Sequence, residues 1–166
     1  VDPYEALGIE RTASEEEIKS KFKEVIEEYA HNQDNTSEQK IQTLRTAYDL
    51  IINEELYKEI RALIDSNNFL DAETKLNILN NTNSAEWNYL KGFVLVQKGW
   101  YESGLNYLTK ATQLEPDNIE YLSGLNKLQT RFIDYIKKYS QKNVQPNSNN
   151  VNACGGNNNG SSGGTC

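Results

Sequence analysis

His31 is the single histidine of the chain, and its two cysteines, Cys154 and Cys166, both fall in the last 13 residues. Nucleophilic catalysis of the Ser-His or Cys-His kind needs a base and a nucleophile that the fold can bring within hydrogen-bond reach. A zinc-type centre needs three or four Cys, His or carboxylate ligands gathered at one point. One histidine and no cysteine before residue 154 argue against both. Carboxylates are more plentiful: Glu24, Glu27 and Glu28 stand close together, and paired carboxylates can work as general acid and base. These three, however, lie opposite an apolar stripe of Ile18, Phe22, Val25, Ile26 and Tyr29, so they read as the solvated face of a helix. The glycines cluster in an uncharged stretch that opens no helix and carries no Lys-Ser/Thr, so no phosphate loop is present. The chain is therefore read as no enzyme, with no cofactor and no metal. What remains is recognition chemistry. Tyr89, Phe93, Trp100 and Tyr101 are the residue types that anchor protein interfaces. Aromatic residues at helical spacing serve equally as packing, and that is the competing reading.

The elements that must hold these residues follow from composition and period. The 166 residues carry 24 acidic and 17 basic side chains, a net charge of −7. That balance argues against nucleic acid, which needs a basic surface to release counterions. Residues 1–50 hold twelve acids and six bases, residues 51–143 twelve and eleven, and residues 144–166 none of either. Only 37% of residues are hydrophobic. The Gly-, Asn- and Ser-rich segment 140–166 is expected to be disordered, since it cannot offset the entropy of ordering. No apolar run approaches the roughly 18 residues of a membrane span, and residues 1–30 hold no signal-peptide core. A cytoplasmic location is expected. The chain opens on Val1 and holds no methionine, so its natural start is expected to be processed, omitted or altered.

Everything up to Tyr139 reads as helix. Pro3 to Leu7 makes a short first helix, capped by Asp2 and stopped by Gly8. Ser14 and Glu17 form the capping box of a second. Ser37 is expected to cap a third, whose inner face of Ile41, Leu44, Ala47, Tyr48, Ile51 and Ile52 is expected to run on through Ile60 and Leu63. Helices over Phe69–Leu79, Ala85–Val96, Tyr101–Leu114 and Ile119–Tyr139 follow from their apolar periods.

Residues 1–56 resemble a J domain, the module of DnaJ-type co-chaperones. The likeness is carried by Asp2-Pro3-Tyr4-Glu5-Ala6-Leu7-Gly8-Ile9, then Ala13-Ser14-Glu15-Glu16-Glu17-Ile18, then Phe22 and Tyr29, and finally Leu44-Arg45-Thr46-Ala47-Tyr48-Asp49-Leu50-Ile51. The resemblance implies a helical hairpin and a heat-shock chaperone as partner. In J domains a His-Pro-Asp tripeptide after the second helix helps trigger ATP hydrolysis on that chaperone. Here the matching positions are Ala30-His31-Asn32 or, with one inserted residue, His31-Asn32-Gln33. Proline and aspartate are absent in either register. The second helix also departs from the basic docking face of the family. Its Lys19, Lys21 and Lys23 are outnumbered by Glu15, Glu16, Glu17, Glu24, Glu27 and Glu28.

Residues 57–139 resemble tetratricopeptide repeats. Residues 85–118 span the 34 positions of one repeat. They show Trp87, Leu90, Gly92, Gly99-Trp100-Tyr101, Gly104, Leu108, Ala111 and Leu114-Glu115-Pro116-Asp117-Asn118. Trp87 and Leu90 stand one residue early relative to Gly92, and Gly104 takes the small position between paired helices. A weaker copy runs through Phe69, Ala72, Leu76 and Leu79, and Ile119–Tyr139 is expected to cap the stack. Tyr89 and Phe93 occupy positions where the family's carboxylate clamp has basic and amide residues, so that ligand mode is not expected. The whole is therefore expected to be all-α: a J-like hairpin over 1–56, a short repeat stack over 57–139 and a disordered tail over 140–166, the first two forming one rigid body. The expected function is a non-catalytic protein–protein adaptor related to J-domain co-chaperones, binding protein partners through the repeats and without chaperone ATPase stimulation. The alternatives are a working co-chaperone with an altered tripeptide, and a sensor or anchor acting through the tail cysteines.

Overall fold

The computed structural model describes residues 2–31 and 35–142. Among them eight helices and no strand occur: α1 (Pro3–Leu7), α2 (Glu15–Ala30), α3 (Asn35–Ile52), α4 (Glu54–Asp65), α5 (Phe69–Leu79), α6 (Ala85–Gln97), α7 (Tyr101–Leu114) and α8 (Ile119–Lys142). The local chemistry behaves as the sequence dictates at the start. Asp2 accepts from the Tyr4 backbone N–H at 2.9 Å, and Gly8 closes α1 in the left-handed region at φ +67°. Ser14 and Glu17 form both halves of the capping box. α3 begins at Asn35, so Ser37 is not its cap; it lies buried in the first turn instead.

Two cores result. Leu7, Ile18, Leu44, Ala47 and Ile51 join α1, α2 and α3. The larger core gathers Ile60, Ala72, Leu76, Leu90, Val94, Leu108, Ala111 and Leu128 from α4 to α8. α4 and α5 form one antiparallel pair, α6 and α7 a second, and α8 packs on α7. The α6–α7 pair is held unusually close by two glycines. A Cβ on Gly104 would stand 2.5 Å from Val96 Cγ2 and 3.0 Å from the Gly92 carbonyl oxygen, and one on Gly92 would stand 2.9 Å from Leu108 Cγ.

The expected continuous third helix is broken. Asn53 leaves helical geometry at φ −105°, ψ 17°. It still donates its backbone N–H to the Asp49 carbonyl at 3.0 Å and accepts from the Tyr57 N–H at 2.9 Å, so the chain turns with little loss of backbone bonding. The cause is a buried carboxylate. Asp49 is 7% exposed and accepts from Asn53 Nδ2 and from the Tyr57 hydroxyl, each at 2.8 Å. Asn81 Nδ2 and Ser84 Oγ donate to it as well. These donors come from the α3–α4 junction, from α4 and from the α5–α6 loop, so one side chain ties the first three helices to the stack. The apolar period runs through the junction, yet redirecting α4 lets it pair with α5.

The segment 140–166 lies outside the described residues except for Ser140, Gln141 and Lys142, which extend α8 rather than begin a disordered tail.

Candidate functional site

Two surfaces carry the residues singled out by sequence. The first is α2 with the loop that follows it. His31 is the exposed C-terminal cap of α2, and Ala30 is the last helical residue. Asn32 and Gln33 lie outside the described residues. The three lysines of α2 are turned toward its own glutamates: Lys19 to Glu15, Lys21 to Glu24 at 3.1 Å, and Lys23 to Glu27 at 3.9 Å. Such exposed pairs add little stability, but they leave the helix surface without a free cation among these lysines. The Lys19–Glu15 bond lowers the Glu15 pKa, and the backbone bond within the capping box lowers that of Glu17, so both acids are held in the charged form.

The second surface lies where α4, α6 and α8 meet. Tyr89 on α6 is 8% exposed. Its ring packs against Tyr121 at 4.8 Å and Phe93 at 6.4 Å between centroids. The Arg61 guanidinium stands 5.8 Å from the same ring. Gly124 gives the ring room, since a Cβ there would lie 2.8 Å from Tyr89 Cε2. Burial pushes the Tyr89 hydroxyl up to about 12. Tyr89 is thus a wall of the stack, and half-buried Phe93 carries the accessible part of the pair. A groove of about 170 Å³ runs between them, lined by Arg61, Ile64, Tyr89, Phe93 and Glu120.

Trp100 and Tyr101 are not part of this groove. They sit at the α6–α7 turn, 62% and 50% exposed. The four aromatic candidates therefore divide into a groove pair and a turn pair.

Sequence reasoning missed the polar frame of the groove. Arg61 Nε donates to Glu86 Oε1 at 2.7 Å, and its Nη atoms reach Glu120 at 2.8 and 3.2 Å. The Tyr121 hydroxyl donates to Glu86 Oε2 at 2.7 Å, and burial beside Glu86 raises its pKa. Glu86 is 4% exposed, and both of its oxygens are satisfied by these partners, as a buried carboxylate requires. The partners stand 25 to 59 positions apart in the chain, so no local spacing could have announced them.

Comparison with known proteins places the first part of the chain. Residues 2–60 match the family model of the DnaJ domain, which carries the likeness into α4. The chaperone protein DnaJ of Orientia tsutsugamushi, strains Boryong and Ikeda, is 42% identical over 57 residues, 32% of this chain and 15% of that protein. DnaJ homolog subfamily C member 16 of Pongo abelii is 39% identical over 56 residues, 32% of this chain and 7% of that protein. This chain thus spans only a small part of the length of these relatives. No solved structure matches it at a significant level. A DnaJ-type unit therefore forms the first part of an all-α chain whose remaining helices fall outside the match.

Proposed function

We propose that this protein is a non-catalytic protein–protein adaptor in which a J-type unit is kept as a structural piece and the helical stack carries the partner. The observation that supports it is the state of α2. Its three lysines are paired with glutamates of the same helix, and six glutamates against three lysines leave the face net negative. A chaperone that docks on cations meets like charge there, which suppresses binding. The altered tripeptide at Ala30, His31, Asn32 and Gln33 removes the proline and the carboxylate that the family uses. The groove at Phe93 instead offers an aromatic floor with a charged rim, the usual make-up of an interface anchor.

Capture of partners from the source cell with the full chain tests this. Phe93→Ala is expected to lose the captured partner, at a cost of about 2 kcal/mol or more, while circular dichroism stays unchanged. Glu24→Gln with Glu28→Gln is expected to alter little beyond salt dependence. Retention by the Phe93 variant together with loss in the glutamate variant would move the working surface to α2.

A further inference from the structure

α8 is longer than the helices it covers. It holds 24 residues against 14 in α7, so at 1.5 Å per residue it overhangs the stack by about 15 Å. Its apolar stripe does not stop at the overhang. Tyr121 and Leu128 are buried in the core. Phe132, Tyr135, Ile136 and Tyr139 continue the same spacing but are 48%, 58%, 47% and 58% exposed. Charge changes sign at the same place. Residues 129–142 hold Arg131, Lys137, Lys138 and Lys142 against Asp134, a net of +3 in a chain of net −7, so the remainder carries −10. Asp134 stands two positions from both Phe132 and Ile136, which puts it on the opposite face of the helix. Arg131, Lys138 and Lys142 flank the stripe, and Lys137 stands three positions from Asp134 on its side of the helix. Because α7 runs back along α6 and α8 back along α7, the α6–α7 turn with exposed Trp100 and Tyr101 lies at the same end of the stack.

We propose that this end of the molecule, the α8 overhang with the Trp100–Tyr101 turn, is a peripheral docking surface for an anionic lipid bilayer. A cationic amphipathic helix with aromatic residues on its apolar face lies in the interface plane of a membrane, its lysines reaching the headgroups. Trp and Tyr rings favour the same level. Among the described residues no helix is long and apolar enough to cross a membrane, so the contact is with one leaflet. A second copy of the chain fits less well. Pairing two overhangs sets +3 against +3, and the free stripe is shorter than the roughly three heptads of a stable coiled coil. The acidic α2 of another copy offers charge, but its apolar residues Ile18, Phe22, Val25 and Ile26 are already packed in their own core.

Sedimentation of the full chain with phosphatidylcholine vesicles, with and without about 30% phosphatidylserine, tests the proposal. Binding is expected to the mixed vesicles and not to the neutral ones. Lys138→Gln with Lys142→Gln keeps good helix formers at both positions and is expected to weaken partitioning about thirtyfold. Phe132→Ser with Ile136→Ser keeps the charge and is expected to abolish it. Equal binding to both vesicle types, no binding to either, or wild-type binding by the Gln variant would each overturn the proposal. So would a dimer in sedimentation velocity that the Phe132 and Ile136 changes dissolve, since the face would then belong to a second copy.

Discussion

Replacing Asp49 with Ala is expected to destabilise the protein by about 2–4 kcal/mol, since it strips the shared acceptor from two buried hydroxyls and each buried donor left unmade costs about 1–3 kcal/mol. The carboxylate accepts from Asn53, Tyr57, Asn81 and Ser84. Its loss leaves the buried Tyr57 and Ser84 hydroxyls without their shared acceptor, while the half-buried Asn53 and Asn81 amides stand at the edge of a groove open to solvent. The damage is larger than the bond count alone implies, because this residue is the tie between the first three helices and the stack. Urea unfolding of the wild type is expected to be a single transition. In the Asp49→Ala variant the midpoint falls, and the transition splits if the two cores lose their coupling. A variant within about 0.5 kcal/mol of wild type, the scale of an inert surface change, would show that Asp49 does not hold the junction.

The second large effect is expected at Gly104. Valine there drives a branched side chain against Val96 and the Gly92 carbonyl oxygen, at a cost of about 3 kcal/mol, the upper part of the range for overpacking. Alanine is the instructive comparison. A Cβ would sit 2.5 Å from Val96 Cγ2, on a β-branched side chain that a helix holds near one rotamer, and 3.0 Å from the Gly92 oxygen, which is backbone and cannot move alone. Alanine gains about 1 kcal/mol of helix propensity over glycine, so its net effect is expected to be far smaller than that of valine. Thermal unfolding of the three proteins checks the order glycine, alanine, valine. Equal stability of the valine variant would mean that α6 and α7 are not pinned together there.

Much of the frame is legible in the chain, because its determinants are local. Asp2, Pro3 and Gly8 bound α1, Ser14 and Glu17 begin α2, and Gly104 marks a close approach of two helices. The break at Asn53 is not legible. Ile51, Ile52, Leu56, Ile60 and Leu63 keep a helical period straight through it, and the force that redirects α4 comes from Tyr57, Asn81 and Ser84 converging on Asp49 in three dimensions. The start of α3 also differs from the sequence expectation. Ser37 has the right chemistry for a cap, but it lies buried in the first turn of a helix that runs from Asn35. At the candidate site, Tyr89 and Phe93 read alike in the sequence as aromatic candidates, and nothing in their spacing tells that one supports the stack while the other borders a groove. Arg61, Glu86 and Glu120 meet only once α4, α6 and α8 have packed. The stripe on α8 reads the same whether covered or bare, so its free end became visible only from the length of α7 beside it.

The adaptor role proposed above expects a J-type unit that does not drive a heat-shock chaperone, on the net negative charge of α2 and the missing proline and aspartate after it. Single-turnover ATP hydrolysis by such a chaperone, with and without this protein in excess, measures that directly. The rate is expected to be unchanged by addition of the full chain. An acceleration of about tenfold, equivalent to about 1.4 kcal/mol of barrier, would contradict it and restore co-chaperone activity to the unit despite the sequence at His31.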